Sequence, residues 1–564
     1  MDYSKFKSVL NKFSKTDIIN LLGERYDQII EWNSNEDSFQ KSSLIDILIK
    51  SDGFALFKKK KFRENYFKHV ELNVLQIILG KIDNDYEKLA VEAAKKNFGD
   101  NPFYRKYFQI LNCEDFEFDD SSLEETSEVV TQCSSKKFYE LFDYQYLIKQ
   151  QVVYEIEKRQ NIGRKILIQM PTGTGKTKTT MHVVAHFFNF INNNGTVLWV
   201  AHNNELLQQA FETFKDVWSH LGTFPINIEK SWGKDRVKCI NGIIFYTIQG
   251  LQELRNKELY KKLLSKTDLL IYDECHKIGA KETKLVIDDF VKPKDKKIDF
   301  IGLTATPGRS SDFSIENRIF AEFWHRIVKI DIDVVNSISM PRIEALNVKK
   351  ADNIIEYFQE RGFLSKLEKE ELEFTPSQEI IDALKSQLNN NSEDYTPDLI
   401  KKIATNKQRN LTILQKLREL NNKKIPTILF ACSVDHAKML SSYLSLEDIP
   451  NSLVYGNIPT SIRKKAISDF KDKINNINII INFDILTTGF DSTNTGCVFI
   501  TRPTKSIILY SQMIGRGLRG KKMGGNAICK LIDVKENLNV YNEKEAFKHF
   551  DKYFGGVKQY GKFK

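Results

Sequence analysis

Lys176 and Thr177 close the run Thr172-Gly173-Thr174-Gly175-Lys176-Thr177, and those residue types in that order suit one chemistry. The two glycines let successive backbone N–H groups point inward at an anion. A helix starting at the lysine adds the partial positive charge of its first turn. Lys176 is expected to reach the β- and γ-phosphates of a nucleotide, and the Thr177 hydroxyl to ligate Mg²⁺. The common form of such a loop begins with Gly or Ala six positions before the lysine; here Met170 stands there. A phosphate loop also needs an acid at the end of a neighbouring strand. Asp273 and Glu274 follow "DLLIY", and two acids directly after buried-looking residues are costly without a cation. Asp273 is expected to hold Mg²⁺ through its hydration shell. Glu274 is placed to orient or deprotonate an attacking water.

These residues need strands and helices in alternation to hold them. "ILIQM" before the loop reads as a strand and "KTTMHVVAHFF" after it as a helix. From residue 138 onward short apolar runs ("TVLWVA", "GIIFYT", "KIDFIGLTA") stand before turn signals, with helical patterns such as "NELLQQAFETFKDVW" between them. That texture predicts a parallel sheet with crossover helices. It covers residues 138–340 and returns over 425–540, which gives two tandem α/β domains. Residues 341–424, including "YFQERGFLSKLEKEELEF", read as a helical, charged connection. Residues 1–113 read as a helical accessory domain. Residues 114–137 begin with eight acids in fifteen positions and read as a flexible acidic linker. Residues 541–564 form a basic-aromatic tail suited to stacking bases and touching phosphates, or to an ordinary amphipathic end.

The bulk numbers agree with a multi-domain chain. At 564 residues, 41% hydrophobic and 28% charged, it resembles a soluble globular protein of several domains. No apolar run is long enough to span a membrane, and the opening "MDYSKFKSVLNKF" lacks the apolar core expected of a secretory signal. Seven scattered cysteines without a C-x-x-C pair fit a reducing, cytoplasmic setting and no cysteine-built zinc site. The net charge of +10 suits a polyanionic partner.

"DECH" (273–276) resembles the box that names the DEAD/DEAH helicases of superfamily 2, and further motifs of that family follow in order. "FDYQ" (142–145) resembles the adenine-reading element, with Gln145 as its contact. "VAHNNELLQQ" (200–209) and "YTIQGL" (246–251) resemble strand-contacting motifs, and "TATP" (304–307) the coupling motif with hydroxyls Thr304 and Thr306. "LFACSVDHA" (429–437), "LTTGFD" (486–491) and "QMIGRGLR" (512–519) resemble the motifs of the second domain. The resemblance spans residues 138 to about 540 and implies two RecA-like domains around an ATP cleft. Gly489 and Asp491 are then expected at the nucleotide. Gln512, Arg516 and Arg519, spaced by four and three, are expected to line one face of a helix-like segment. Arg516 and Arg519 would be arginine fingers delivered by domain closure. The resemblance also implies nucleic-acid contacts near His202, Thr247, Gln249, Ser433 and Thr487. Within the superfamily, "LVYGN", "LTTGFD" and "RPTKSIILYSQMIGRGLRG" resemble the motor subunits of type I and III restriction enzymes and related bacterial repair helicases.

The expected activity is Mg-ATP hydrolysis coupled to translocation, unwinding or remodelling of DNA, in repair, restriction or antiphage defence. RNA is the alternative substrate. A DNA-sensing component that licenses a separate effector, with a protein partner on the N-terminal domain, is the alternative role. Other features carry plainer readings. His182 and His186 have metal-binding spacing but read as helix packing, and "LIDVK" (531–535) reads as a structural strand. "FKKKKFR" (57–63) reads as a solvated face or as a phosphate contact.

Overall fold

The computed structural model describes residues 3–32, 39–113, 116, 127–130, 139–158, 163–231, 241–292, 298–305, 320–335, 353–372, 378–388, 394–456, 458–472, 474–487 and 494–534. Thr306, Gly489, Asp491 and the 541–564 tail lie outside these residues. No helix among them is long and apolar enough to cross a membrane.

The first lobe is an eight-stranded sheet of β1 (Ser127–Val130), β2 (Lys165–Gln169), β3 (Thr196–Ala201), β4 (Ile226–Ser231), β5 (Gly242–Thr247), β6 (Leu269–Asp273), β7 (Asp299–Thr304) and β8 (Arg326–Lys329). Their order is β1-β4-β5-β3-β6-β7-β2-β8, all parallel except β1. Successive side chains of a strand point to opposite faces, and both faces are apolar here. Val197, Trp199 and Ala201 of β3 enter one core, while Leu198 and Val200 enter the other. Helices Lys176–His186 and Asn204–Leu221 cover the first face; Ile248–Leu254 and Lys281–Val291 cover the second. The strand order puts β7 between β2, which feeds the phosphate loop, and β6, which ends at Asp273.

The second lobe is a six-stranded, all-parallel sheet of β9 (Lys366–Leu372), β10 (Thr427–Phe430), β11 (Asn451–Tyr455), β12 (Ile479–Phe483), β13 (Cys497–Ile500) and β14 (Ile528–Val534). Its order is β11-β12-β10-β13-β14-β9. The segment 341–424 holds the helices Ile354–Glu360, Gln378–Leu388, Pro397–Ala404 and Lys407–Asn422, but β9 is a strand where a helical connection was expected. "KLEKEEL" has helix-forming residues, but β14 offers an open edge. Residues 366–372 pair with 528–534 in parallel register. Leu367 and Leu372 pack inward while Glu368 and Lys369 stay exposed. Backbone pairing to a buried strand outweighs weak helix propensity, and charged side chains on the outermost strand discourage further pairing.

The N-terminal residues are helical, from Ser4–Leu10 through Pro102–Ile110. Their core is aromatic, with Phe6, Phe54, Phe57, Tyr66, Tyr104 and Phe108 buried together. The acidic linker is only partly described, and it is not featureless: Ser127–Val130 is β1, antiparallel on β4. A short β-branched run after the acids supplies that strand. The helical unit docks on lobe two, although the sequence joins it to lobe one. Asp52 bonds Arg25 at 2.7 Å and Lys438 at 2.6 Å, with all three side chains 11–13% exposed. Burial would raise the Asp52 carboxyl, but Arg25 and Lys438 outweigh it and hold it at about 2. Tyr455 of β11 donates to the Ser51 carbonyl at 2.7 Å.

Candidate active site

The phosphate loop leaves β2 and turns through Gly173 and Gly175, at φ +83° and +84°. Only glycine adopts that left-handed region without strain. A side chain at Gly175 would also collide with Gln145 Nε2, at 2.4 Å from the new Cβ. Gln145 is fully buried. Its Oε1 accepts from Phe142 N at 3.1 Å and its Nε2 donates to Thr174 O at 3.0 Å. Tyr144 donates to the same carbonyl at 2.9 Å. Both side chains therefore brace the loop from beneath. The Thr174 hydroxyl closes the turn on Pro171 O at 2.7 Å. Lys176 and Thr177 open the helix Lys176–His186, and Lys176 Nζ rests 3.4 Å from Met170 O.

The acid pair ends β6. Asp273 is 4% exposed and accepts from Glu274 N at 3.0 Å. Burial and the adjacent Glu274 charge push the Asp273 carboxyl up, and Lys176 pulls the other way. Burial also works against ionised Glu274, but His276 and Lys176 hold it down. Glu274 is thus the ionised member of the pair. A buried oxygen donor short of positive charge, Asp273, together with the Thr177 hydroxyl, is a donor set that suits Mg²⁺. Glu274 sits at φ +54°, a left-handed conformation that costs a non-glycine residue roughly 1–3 kcal/mol.

Sequence reasoning gave no role to His276 or Lys277, which link the acids to the neighbouring strands. His276 Nδ1 lies 3.3 Å from Glu274 Oε2 and 3.4 Å from Thr304 Oγ1 at the end of β7. Lys277 Nζ lies 2.7 Å from Nε2 of His202. Burial and Lys277 press His202 down to about 3, so its ring is neutral and accepts. The signal available was the spacing: His276 stands two residues after a base candidate.

Across the cleft, the helix Ile507–Ile514 carries Gln512 but ends before the arginines. This corrects the expectation of one shared helical face. Arg516 lies in the turn after the helix, and Arg519 lies beyond it, where it forms an isolated antiparallel bridge with Leu364. The cause is two close approaches that only glycine permits. A Cβ on Gly515 would sit 2.5 Å from Thr172 Cγ2, and one on Gly517 would sit 2.5 Å from Cys529 Sγ. Gly515 therefore rests directly on the phosphate loop. Arg519 packs there too, its Cγ 3.8 Å from where a Gly173 Cβ would stand. Arg516 Nε donates to Gln512 O at 3.3 Å. The lobes also meet at Phe363, whose ring lies 4.7 Å from Phe142 and 5.1 Å from Tyr144. Ser365 Oγ is 2.6 Å from Arg519 O, which ties this junction to the arginine loop.

A cavity of about 500 Å³ opens between the lobes, lined by His202, His276 and Lys277 on one side and Asp484, Thr487 and Gln512 on the other. It gathers His202, Thr487 and Gln512 in one place. Thr247, Gln249 and Ser433 do not line it. Thr247 and Ser433 cap helices, accepting from Gly250 N at 3.0 Å and His436 N at 3.1 Å, and Gln249 is exposed. His182 is buried against Tyr139 and His186 pairs with Glu157 at 2.8 Å, so they do not converge on one ion. Asp533 of "LIDVK" accepts from buried Tyr510 at 2.8 Å.

Comparison with known proteins finds two family descriptions on this chain. "Type III restriction enzyme, res subunit" matches residues 138–309, and "Helicase conserved C-terminal domain" matches 409–521. The irc3 protein of Schizosaccharomyces pombe, named as a mitochondrial ATP-dependent helicase, is 24% identical over 376 residues, covering 66% of this chain and 54% of that protein. IRC3 of Saccharomyces cerevisiae, named as an ATP-dependent helicase, is 24% identical over 369 residues, covering 63% and 46%. The type I restriction enzyme EcoKI endonuclease subunit of Escherichia coli is 25% identical over 436 residues, covering 71% and 35%. The chain thus spans about half the length of the first two relatives.

Proposed function

We propose, since the chain belongs to the superfamily 2 helicases, that it is an ATP-hydrolysing motor that acts on DNA. The observation that carries this is the seat of Gly515 on Thr172. It brings the loop bearing Arg516 and Arg519 onto the phosphate loop, so that hydrolysis depends on closure of two lobes. A nucleotide switch or kinase has no need of a second, arginine-bearing lobe.

Lys176 and the loop amides hold the β- and γ-phosphates. Glu274, kept ionised by His276 and Lys176, takes the proton of the attacking water. Asp273 and Thr177 would hold Mg²⁺, which when bound neutralises charge on the phosphate oxygens. Arg516 and Arg519 add positive charge to the γ-phosphate as the cleft closes, a contribution of about 10³–10⁵ in rate for such fingers. Closure also rearranges the cavity between His202 and Lys277 on one lobe and Thr487 and Gln512 on the other. We assign nucleic-acid contact to that rim and coupling to the Glu274–His276–Thr304 chain. DNA is preferred over RNA for the likeness to restriction motor subunits. Cys275 and Cys497 are free and buried, which supports a reducing compartment such as the cytoplasm.

The test is ATP turnover of the full chain with duplex DNA, single-stranded DNA and RNA at one stated salt concentration. Stimulation by DNA is expected. Stimulation by RNA alone overturns the choice of DNA, and turnover indifferent to any nucleic acid overturns the motor.

A further inference from the structure

We propose that the N-terminal helical unit carries a second nucleic-acid surface, made of Lys58, Lys59, Lys60, Lys61, Lys95 and Lys96. It rests on the nucleic-acid-dependent activity proposed above and adds a contact site outside the two lobes.

All six lysines are exposed. They come from two stretches of sequence that one buried residue draws together. Arg63 is 6% exposed and spends its guanidinium on three backbone carbonyls. Its Nη1 donates to Phe57 O at 2.7 Å and Lys58 O at 3.2 Å, and its Nε donates to Ala94 O at 3.1 Å. These bonds fix the junction between the 3₁₀ turn Gly53–Lys58 and the helix Lys60–Phe67. They also hold that junction beside the end of the helix Tyr86–Lys95. Stacking of Phe57 on Phe98, at 6.0 Å and 13°, clamps the same two segments.

The charges on this surface are little compensated. Of the six lysines Lys60 alone forms an ion pair among the described residues, with Glu64 at 3.8 Å and both side chains well exposed, and Lys96 lies near Glu92, whose carboxyl it helps to lower. Arg63 beneath them has no acidic partner among the described residues and adds to the positive field. Lys59, Lys60 and Lys61 also stand at the first turn of a helix, where the partial charge is already positive. A bound polyanion would remove that local cost. A chain of phosphates fits, because it presents one negative charge after another along a line of lysines.

The docking described above makes this surface part of lobe two. Arg25, Asp52 and Lys438 form a buried triad, and Tyr455 holds the Ser51 carbonyl. When the cleft closes and opens, the lysines travel with lobe two relative to lobe one. A motor gains from such an arm a grip on the phosphate backbone that changes position once per ATP.

The experiment measures binding of a labelled DNA duplex to the full chain over a salt series, for wild type and for a variant with all six lysines changed to Gln. Each phosphate contact contributes about 0.9 to the slope of log affinity against log salt on duplex DNA. The variant is expected to flatten that slope by about 2 or more, with DNA-free ATP turnover unchanged. An unchanged slope in the variant, with wild type binding normally, overturns this proposal and leaves the lobe-based function standing. Failure of the wild type to bind any nucleic acid overturns both.

Discussion

Replacing Gly515 by Ala isolates closure from every other property of the cleft. Gly515 has φ −53°, a conformation alanine adopts freely, so backbone strain plays no part. The new Cβ would lie 2.5 Å from Thr172 Cγ2 and 2.8 Å from Thr172 Cβ. Carbon atoms in contact prefer about 3.5–4.0 Å, so the surfaces must part by about 1 Å. Thr172 belongs to a turn held by Gln145, Tyr144 and the Thr174 hydroxyl. The separation therefore falls on lobe two, and it carries the following residue, Arg516, away from the phosphate site. A misplacement of that size costs about 10²-fold in rate, consistent with the ~1–3 kcal/mol of an overpacked contact. DNA-stimulated ATP turnover is the assay. Expected are a fall of about ten- to a hundredfold in kcat and a smaller change in ATP binding, since the phosphate loop on lobe one is left intact. Changing Thr172 to Gly removes both crowded atoms, so the double variant should recover most of the loss, with a coupling energy of ~1–3 kcal/mol in a double-mutant cycle. Wild-type turnover by Gly515→Ala, or a deficit that Thr172→Gly leaves untouched, refutes the closing cleft.

Glu274→Gln removes the carboxylate proposed as the base but keeps the fold of the loop, so ATP should stay bound while hydrolysis falls by about 10²–10⁴-fold; single-turnover hydrolysis reads it. Asp52→Ala strands Arg25 and Lys438 in a buried site. It should lower stability by about 3–5 kcal/mol in chemical denaturation. Glu31→Ala, at an exposed pair with Lys407, should stay within about 1 kcal/mol of wild type; equal effects would show that the helical unit is not held by the buried triad. Two buried histidines, His182 and His436, and the half-buried His202 set an acid limit. His182 and His202 are pressed down to about 3, and His436 lies well below its ordinary value, each first by burial. All three are neutral in the fold and take protons only when it opens. Stability is therefore intact above the ordinary histidine value of about 6.5 and is lost as pH falls below it, by up to ~4 kcal/mol per pH unit for three protons. His436→Gln should flatten that slope by about one proton in melts taken from pH 7 to 5.

The sequence made the phosphate loop and the acid pair readable because both are local. Gly173 to Thr177 and Asp273-Glu274 sit at strand ends that apolar runs announce. The two parallel sheets were readable for the same reason, through "ILIQM", "DLLIY" and their kin. What was not readable depends on partners distant in sequence. β9 is a strand only because β14 leaves an edge open. Arg516 and Arg519 leave the helix only because Gly515 and Gly517 must approach Thr172 and Cys529. The left-handed Glu274 and its His276 bond follow from the β6–β7 geometry. The docking of the N-terminal unit was hidden furthest, since Asp52 and Lys438 are 386 positions apart.

That distance also has a consequence in time. Chains are made at about 5–20 residues per second, so a finished N-terminal unit waits roughly 16–65 s before Lys438 exists. During that interval its docking surface has no lobe to meet. Arg25, only 27 positions from Asp52, is already there to satisfy the carboxylate. The same guanidinium that completes the buried triad in the finished protein thus keeps the nascent unit from displaying a lone charge, and lets it persist as a folded body until its partner is translated.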